Sequence, residues 1–198
     1  MEDIKQTILN KISALQDKKE HLLIAIDGKC GSGKTTLALS LKKYIDCNII
    51  HMDHFFLRPE QRTEKRINEP GGNVDYERFY SDVIIPLSEK RSFTYESYDC
   101  KSGMSFPIDV EFRKINIIEG AYSCHNLFSD FYDLKIFLDI DAEKQKERII
   151  KRNGKAAYKM FEDTWIPMEE VYFKTHNIKD KCDLCFCEFN CNMTCFDV

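Results

Sequence analysis

His21-Leu-Leu-Ile-Ala-Ile-Asp27 runs without a break into Gly28-Lys-Cys-Gly-Ser-Gly-Lys-Thr35, and the fold turns on how this stretch reads. The apolar run is short and continuous, as a strand buried on both faces of a parallel sheet must be. The eight residues after it satisfy G-x-x-x-x-G-K-[ST], the phosphate-binding P-loop, and a helical pattern from Lys34 to about Tyr44 completes the strand, loop and helix that the motif requires. Glycines let backbone N–H groups converge on phosphate oxygens, and the helix N-terminus adds its positive end. The cradle for ATP is then Gly28, Gly31, Ser32, Gly33, Lys34, Thr35 and Thr36, with Lys34 reaching the β and γ phosphates and the Thr35 hydroxyl offered to Mg²⁺.

Working outward, similar short apolar runs occur at 48–52, 114–118, 134–140 and 183–186, separated by helical patterns around 76–88, 142–151 and 165–175. Ile4, Ile8, Ile12 and Leu15 mark an opening amphipathic helix. Alternating strands and helices predict an α/β fold of three layers, a five-stranded parallel sheet covered on both faces. A length of 198 residues suits a single domain over 1–198. Residues 57–112 break the alternation with Pro59, Pro70, Gly71, Gly72, Gly103 and Pro107. That is too long for a plain connection, so it reads as an acceptor-binding insert.

Lys and Arg number 29 against 33 Asp and Glu, a net charge of −4, which provides no basic field for gripping nucleic acid. The longest unbroken aliphatic run, Leu22 to Ile26, is far below the roughly 18 residues that span a membrane. The acidic start, Met-Glu-Asp-Ile-Lys, lacks a basic segment and an apolar core, so the expectation is a cytoplasmic protein acting on a small molecule, with self-association left open. Nine cysteines in a reducing compartment stay as thiols. Five of them, Cys182, Cys185, Cys187, Cys191 and Cys195, crowd the last 17 residues, but without the paired C-x2-C units of a zinc site, and Cys182 to Cys187 reads equally as a final core strand.

Two carboxylates end predicted strands. Asp53 follows the second and Glu119 the third, and ligands of open α/β sheets bind outside the carboxyl ends of strands. Asp53 could take a proton from an attacking hydroxyl, hold Mg²⁺ through water, or merely cap a helix; Glu119 could stand near the metal as a Walker B acid, or be an exposed strand terminus. Arg148 and Arg152 share a helix face, either to clamp a moving phosphoryl group from a lid at about 148–165 or as a solvated basic surface. Among the histidines, only His54 reads as near this site.

Taken in order, Ile24-Ala-Ile-Asp-Gly, Gly-Ser-Gly-Lys-Thr-Thr36, Met52-Asp-His-Phe-Phe56, Gly72-Asn-Val-Asp-Tyr76, Tyr98-Asp99 and Ile118-Glu-Gly120 resemble the uridine kinase and phosphoribulokinase superfamily of P-loop kinases. That resemblance implies strand order 2-3-1-4-5, Asp53 as base on a 5′-hydroxyl, Asp75 on ribose hydroxyls, and Phe56, Tyr76 and Tyr98 around the acceptor. It also implies that Arg148 and Arg152 open an arginine-bearing lid. Two departures stand out. Gly103 replaces a base-reading histidine, and the lid holds only Lys155 and Lys159 beyond Arg152. The expected activity is ATP-dependent transfer of the γ-phosphoryl group to a nucleoside hydroxyl. A sugar phosphate, a pantothenate-like or glycerate-like alcohol, or a regulatory ATPase without an acceptor remain alternatives, the first kept open by Arg58, Arg62, Lys65, Arg66 and Arg78.

Overall fold

Strand β1 (Leu22–Gly28) is buried at every residue except the half-buried Leu23, because sheet neighbours flank it and helical layers cover it. The computed structural model describes residues 4–187. Beside β1 lie β5 (Ile115–Glu119) and β6 (Leu134–Asp139), and outside them β2 (Cys47–His51) and β7 (Leu184–Cys187), all parallel. The order is β2-β5-β1-β6-β7. Numbering these five strands alone gives 2-3-1-4-5, the order that the resemblance implied. Register aligns His51 and Ile26 with Glu119, so the two polar strand ends finish at the same edge.

One face of the sheet is covered by α1 (Ile4–Gln16) and α2 (Lys34–Lys42), whose Ile8, Ile12, Leu37 and Leu41 pack on Ile24, Ile26, Ile117 and Leu138. The opposite face, with Ala25, Ile50, Ile118 and Phe137, packs against an aromatic layer that includes Phe55, Phe79, Phe128, Tyr172 and Phe173. Full burial of each such ring is worth about 1.5–3 kcal/mol.

The insert contains α3 (Glu64–Asn68), α4 (Tyr76–Phe79), α5 (Ile85–Ser88) and the antiparallel hairpin β3 (Phe93–Asp99) and β4 (Met104–Val110). Phe55 stacks on Tyr95 with ring centroids 5.1 Å apart and meets Phe79 edge-on at 5.0 Å, tying the hairpin to the core. The helix expected over 76–88 is present but widens into a π turn at Tyr80–Ile84. The cause is Pro86, which has no N–H for a carbonyl four residues back. Beyond β6, α6 (Ala142–Asn153) leads to α7 (Lys155–Met160), a second π turn at Phe161–Trp165, α8 (Ile166–His176) and α9 (Ile178–Lys181). Here Pro167 stands in the same relation to the π turn as Pro86 does in the insert. The stretch read as a lid is therefore helical.

No helix among the described residues is long and apolar enough to cross a membrane. Cys182 to Cys187 leads into and forms the edge strand β7, with Cys182 and Cys124 sulfurs 4.0 Å apart; Cys191 and Cys195 lie outside the described residues.

Candidate active site

The P-loop is shaped by close packing beneath it. Gly28 has φ +138°, and a Cβ there would stand 2.0 Å from the Leu138 carbonyl oxygen, so only glycine lets β1 turn this close to β6. Asp27, fully buried, accepts N–H groups from Gly28, Tyr122 and Cys124 and the Tyr172 hydroxyl. Burial pushes its carboxyl up even though those donors favour the charged form. From outside the loop, Glu169 Oε2 accepts the Cys30 N–H at 2.8 Å, Gln145 donates to the Cys30 carbonyl at 2.9 Å, and Arg148 donates to the Gly31 and Ser32 carbonyls at 3.2 and 3.4 Å. Burial, with the Glu169 charge alongside, pushes the Cys30 thiol up to about 12, which leaves it unreactive.

Lys34 Nζ donates to the Gly28 and Lys29 carbonyls at 2.7 and 3.0 Å, which holds its charge over the mouth of the loop. Thr35 and Thr36 follow on the first turn of α2. Ser32 Oγ is buried within the loop with no hydrogen-bond partner among the described residues, and a phosphate oxygen fits that hydroxyl as acceptor. Thr35 Oγ1 donates to Glu119 Oε1 at 3.0 Å. A hydroxyl paired with a carboxylate is an all-oxygen donor set suited to Mg²⁺, so the residues fit the metal that the P-loop implies.

Asp53 lies in a 3-10 turn, Met52–Phe55, immediately after β2. The residue is exposed, yet protein packs around its carboxyl closely enough to desolvate it. Desolvation there, and then the Glu119 charge, push the carboxyl up, while Lys34, His51 and Arg152 pull it down. Those opposing influences place Arg152 and Lys34 within electrostatic reach of Asp53. Gly120 leaves room beside it: a Cβ on Gly120 would be 2.8 Å from Met52 Cβ and 3.4 Å from Asp53 Oδ1.

The insert residues divide. Phe56 pairs with Val74 in an isolated antiparallel bridge. Tyr76 is buried, donates its hydroxyl to the Gly71 carbonyl and stacks on His125 with centroids 4.2 Å apart, as a core residue does. Tyr98 is buried on β3. Asp75 is occupied: Oδ1 accepts the Arg78 N–H as helix cap of α4, and Oδ2 takes 2.7 Å from Gln61 Nε2 and 3.6 Å from Arg78 Nε.

One reading requires correction. His51, which lacked any ligand spacing in the sequence, stands in the site with Nδ1 2.5 Å from Glu119 Oε1, whereas His54 turns its Nδ1 to the Tyr95 hydroxyl at 2.9 Å. That contact holds His51 above the usual imidazole range, and burial pushes His54 down to about 4. Asp27, Gln145 and Glu169 were also missed, because the contacts that matter, from Tyr122, Cys124 and Tyr172 to Asp27 and between Cys30 and both Gln145 and Glu169, join residues far apart in sequence.

A parallel sheet of this order with a P-loop after its central strand defines the class: this chain has a P-loop kinase fold. Among solved structures it is similar to a "Possible Uridine Kinase" from Bacillus stearothermophilus, with a TM-score of 0.70 and 20% identity over 92% of this chain and 97% of that one. A candidate fructose transport system kinase from Silicibacter sp. TM1040 is similar at a TM-score of 0.70 and 19% identity, covering 92% and 98%. Among curated proteins, the bifunctional alpha-galactosidase/sucrose kinase AgaSK of Mediterraneibacter gnavus is 27% identical over 158 residues, 68% of this chain. The chain spans 17% of that relative's length. No protein-family model matches the chain.

Proposed function

We propose that the chain is an ATP-dependent kinase that phosphorylates a hydroxyl of a small polyol. The observation that carries this reading is the convergence at one sheet edge of a P-loop lysine, the Thr35–Glu119 pair, and Asp53 beside Gly120. Lys34 and the loop N–H groups bind the phosphates, and Thr35 and Glu119 would hold Mg²⁺, which neutralises charge on the β and γ oxygens. Asp53 accepts the acceptor's hydroxyl proton as the new O–P bond forms, the bond from the γ phosphorus to the bridging oxygen breaks, and ADP leaves. A carboxyl whose affinity for a proton is raised by its surroundings is a better base than an unperturbed one.

A carbohydrate hydroxyl is the acceptor that this site favours. Asp75, the candidate ribose ligand, already serves Gln61 and Arg78, so vicinal hydroxyls would have to displace internal bonds. The sucrose kinase and the fructose transport system kinase in the names of similar proteins support the same class. A nucleoside is the second reading, carried by the Gly72-Asn-Val-Asp75 element and by the uridine kinase-like neighbour.

The test is acceptor-dependent ADP release across free mono- and disaccharides, nucleosides and sugar phosphates. Sugars should be turned over, and Asp53→Asn should lower kcat by about 10²- to 10⁴-fold with nucleotide binding retained. Turnover of nucleosides alone moves the conclusion to the second reading. ADP release that no acceptor stimulates makes the protein an ATPase.

A further inference from the structure

His51 ends β2 and Glu119 ends β5, and the parallel register sets them directly opposite one another. The Glu119 side chain is 5% exposed, so its charge must be balanced by protein donors or by a bound cation. Two donors converge on one of its oxygens: His51 Nδ1 at 2.5 Å and Thr35 Oγ1 at 3.0 Å, both on Oε1. The second oxygen, Oε2, accepts no hydrogen bond among the described residues and is not sealed from solvent. An ionised carboxylate only accepts, so Nδ1 carries the proton in this contact. The ring is itself held in place, with the His54 ring 5.1 Å away and tilted, and His54 in turn bonded to Tyr95 of the hairpin.

We propose that His51 is a positioning residue that fixes the Glu119 carboxylate by occupying Oε1, so that Oε2 is presented to the divalent cation beside the nucleotide phosphates. The inference rests on the kinase reading and extends it to a residue outside the P-loop and the carboxylates. Its logic is that of the outer partners of metal-binding carboxylates, which remove rotational freedom from the group that binds. Loss of such a partner typically costs 10- to 100-fold in metal affinity. The same arrangement links the acceptor side to the metal side, through Tyr95, His54, His51 and Glu119 in sequence of contact.

Two substitutions separate the hydrogen bond from the bulk of the ring. His51→Leu keeps much of the volume and removes the donor; His51→Asn keeps an N–H at a similar reach and loses volume. The primary readout is Mn²⁺ affinity with a non-hydrolysable ATP analogue bound, followed by electron paramagnetic resonance. Analogue binding in EDTA serves as the metal-free reference, and circular dichroism checks folding. His51→Leu should weaken Mn²⁺ by about 10-fold or more without changing metal-free nucleotide binding, and His51→Asn should recover most of the loss. In turnover, the same loss should appear as a raised metal requirement that excess Mg²⁺ relieves.

Wild-type Mn²⁺ affinity in a folded His51→Leu protein overturns the proposal, and so does an Asn variant as impaired as the Leu variant, which would assign the effect to packing. If His51→Leu does not fold, the Asn variant decides alone: near-wild-type affinity supports the hydrogen bond, and a loss of 10-fold overturns it. A wild-type protein that binds the analogue with metal but turns over no acceptor defeats the kinase reading while leaving the His51 measurement intact. A wild-type protein that binds no nucleotide defeats both.

Discussion

Glu169 is a carboxyl in an unfavourable place for a negative charge: it is 6% exposed, bonded to the Cys30 N–H, and close to Asp27. Burial pushes it up to about 7, against the pull of Lys34 and the Cys30 donor. In the unfolded chain such a group titrates near 4.5. Between these values the folded protein keeps a proton that the unfolded chain has released, so stability must fall as pH rises through this window. At about 1.4 kcal/mol per pH unit, the contribution lost is about 3.5 kcal/mol at most. Glu169→Gln keeps an oxygen for the Cys30 N–H and removes the charge. Thermal midpoints followed from about pH 4.5 to 7.5 should therefore fall more steeply for the wild type than for the Gln variant. Parallel profiles would show that Glu169 is not the group responsible.

At the scale of elements, the turn from β1 into the P-loop is limited by how closely β6 passes. A methyl on Gly28 would meet Leu138 backbone at 2.0 Å and would have to sit at φ +138°, so both strain and collision oppose it. Gly103, in the hairpin turn, also has positive φ, but no atom lies within 4 Å of its added Cβ. Gly28→Ala should cost about 3 kcal/mol or more in denaturant unfolding, against about 1 kcal/mol for Gly103→Ala. The reverse order would mean that the β1–β6 register is different.

Features that depend on local pattern were readable in this way: the buried run before Gly28, the strand ends carrying Asp53 and Glu119, and the punctuation of the insert. The order of the five strands came with the family resemblance rather than from any pattern in the residues. What a side chain bonds to was not readable. Asp75 came only with the family resemblance, as a ribose ligand, and its cap on α4 and its bond from Gln61 were seen only in the fold. His51 needed the pairing of β2 with β5 before it could be seen beside Glu119. Glu169 reaches a loop 139 residues away, a relation that no spacing rule contains.

For the molecule as a whole, the sheet edge supplies the phosphate loop, the insert packs its hairpin on the 3-10 turn that carries Asp53, and the helices after β6 add a layer whose charges have different tasks. Arg148 donates to two P-loop carbonyls and is part of what keeps the loop in shape. Arg152, one turn later, bonds its Nε to Asn153 Oδ1 at 2.8 Å, sets its guanidinium 6.0 Å from the Phe161 ring centroid, and still acts on the titration of Asp53. On the proposed kinase reading, its position suits a charge that acts on the transferring phosphoryl group, where a fixed cation is worth more than one in water. Arg148→Ala should then raise KM for ATP and lower the thermal midpoint, since it leaves two loop carbonyls without a donor. Arg152→Ala should leave the thermal midpoint nearly unchanged and lower kcat by about 10²- to 10³-fold, the usual cost of removing one stabilising group from a transition state. An equal loss of thermal stability in both variants would make Arg152 part of the scaffold. An unchanged kcat in Arg152→Ala would leave the helices after β6 as a shield against water, with Lys34 and the metal-side residues carrying the charge of the transfer.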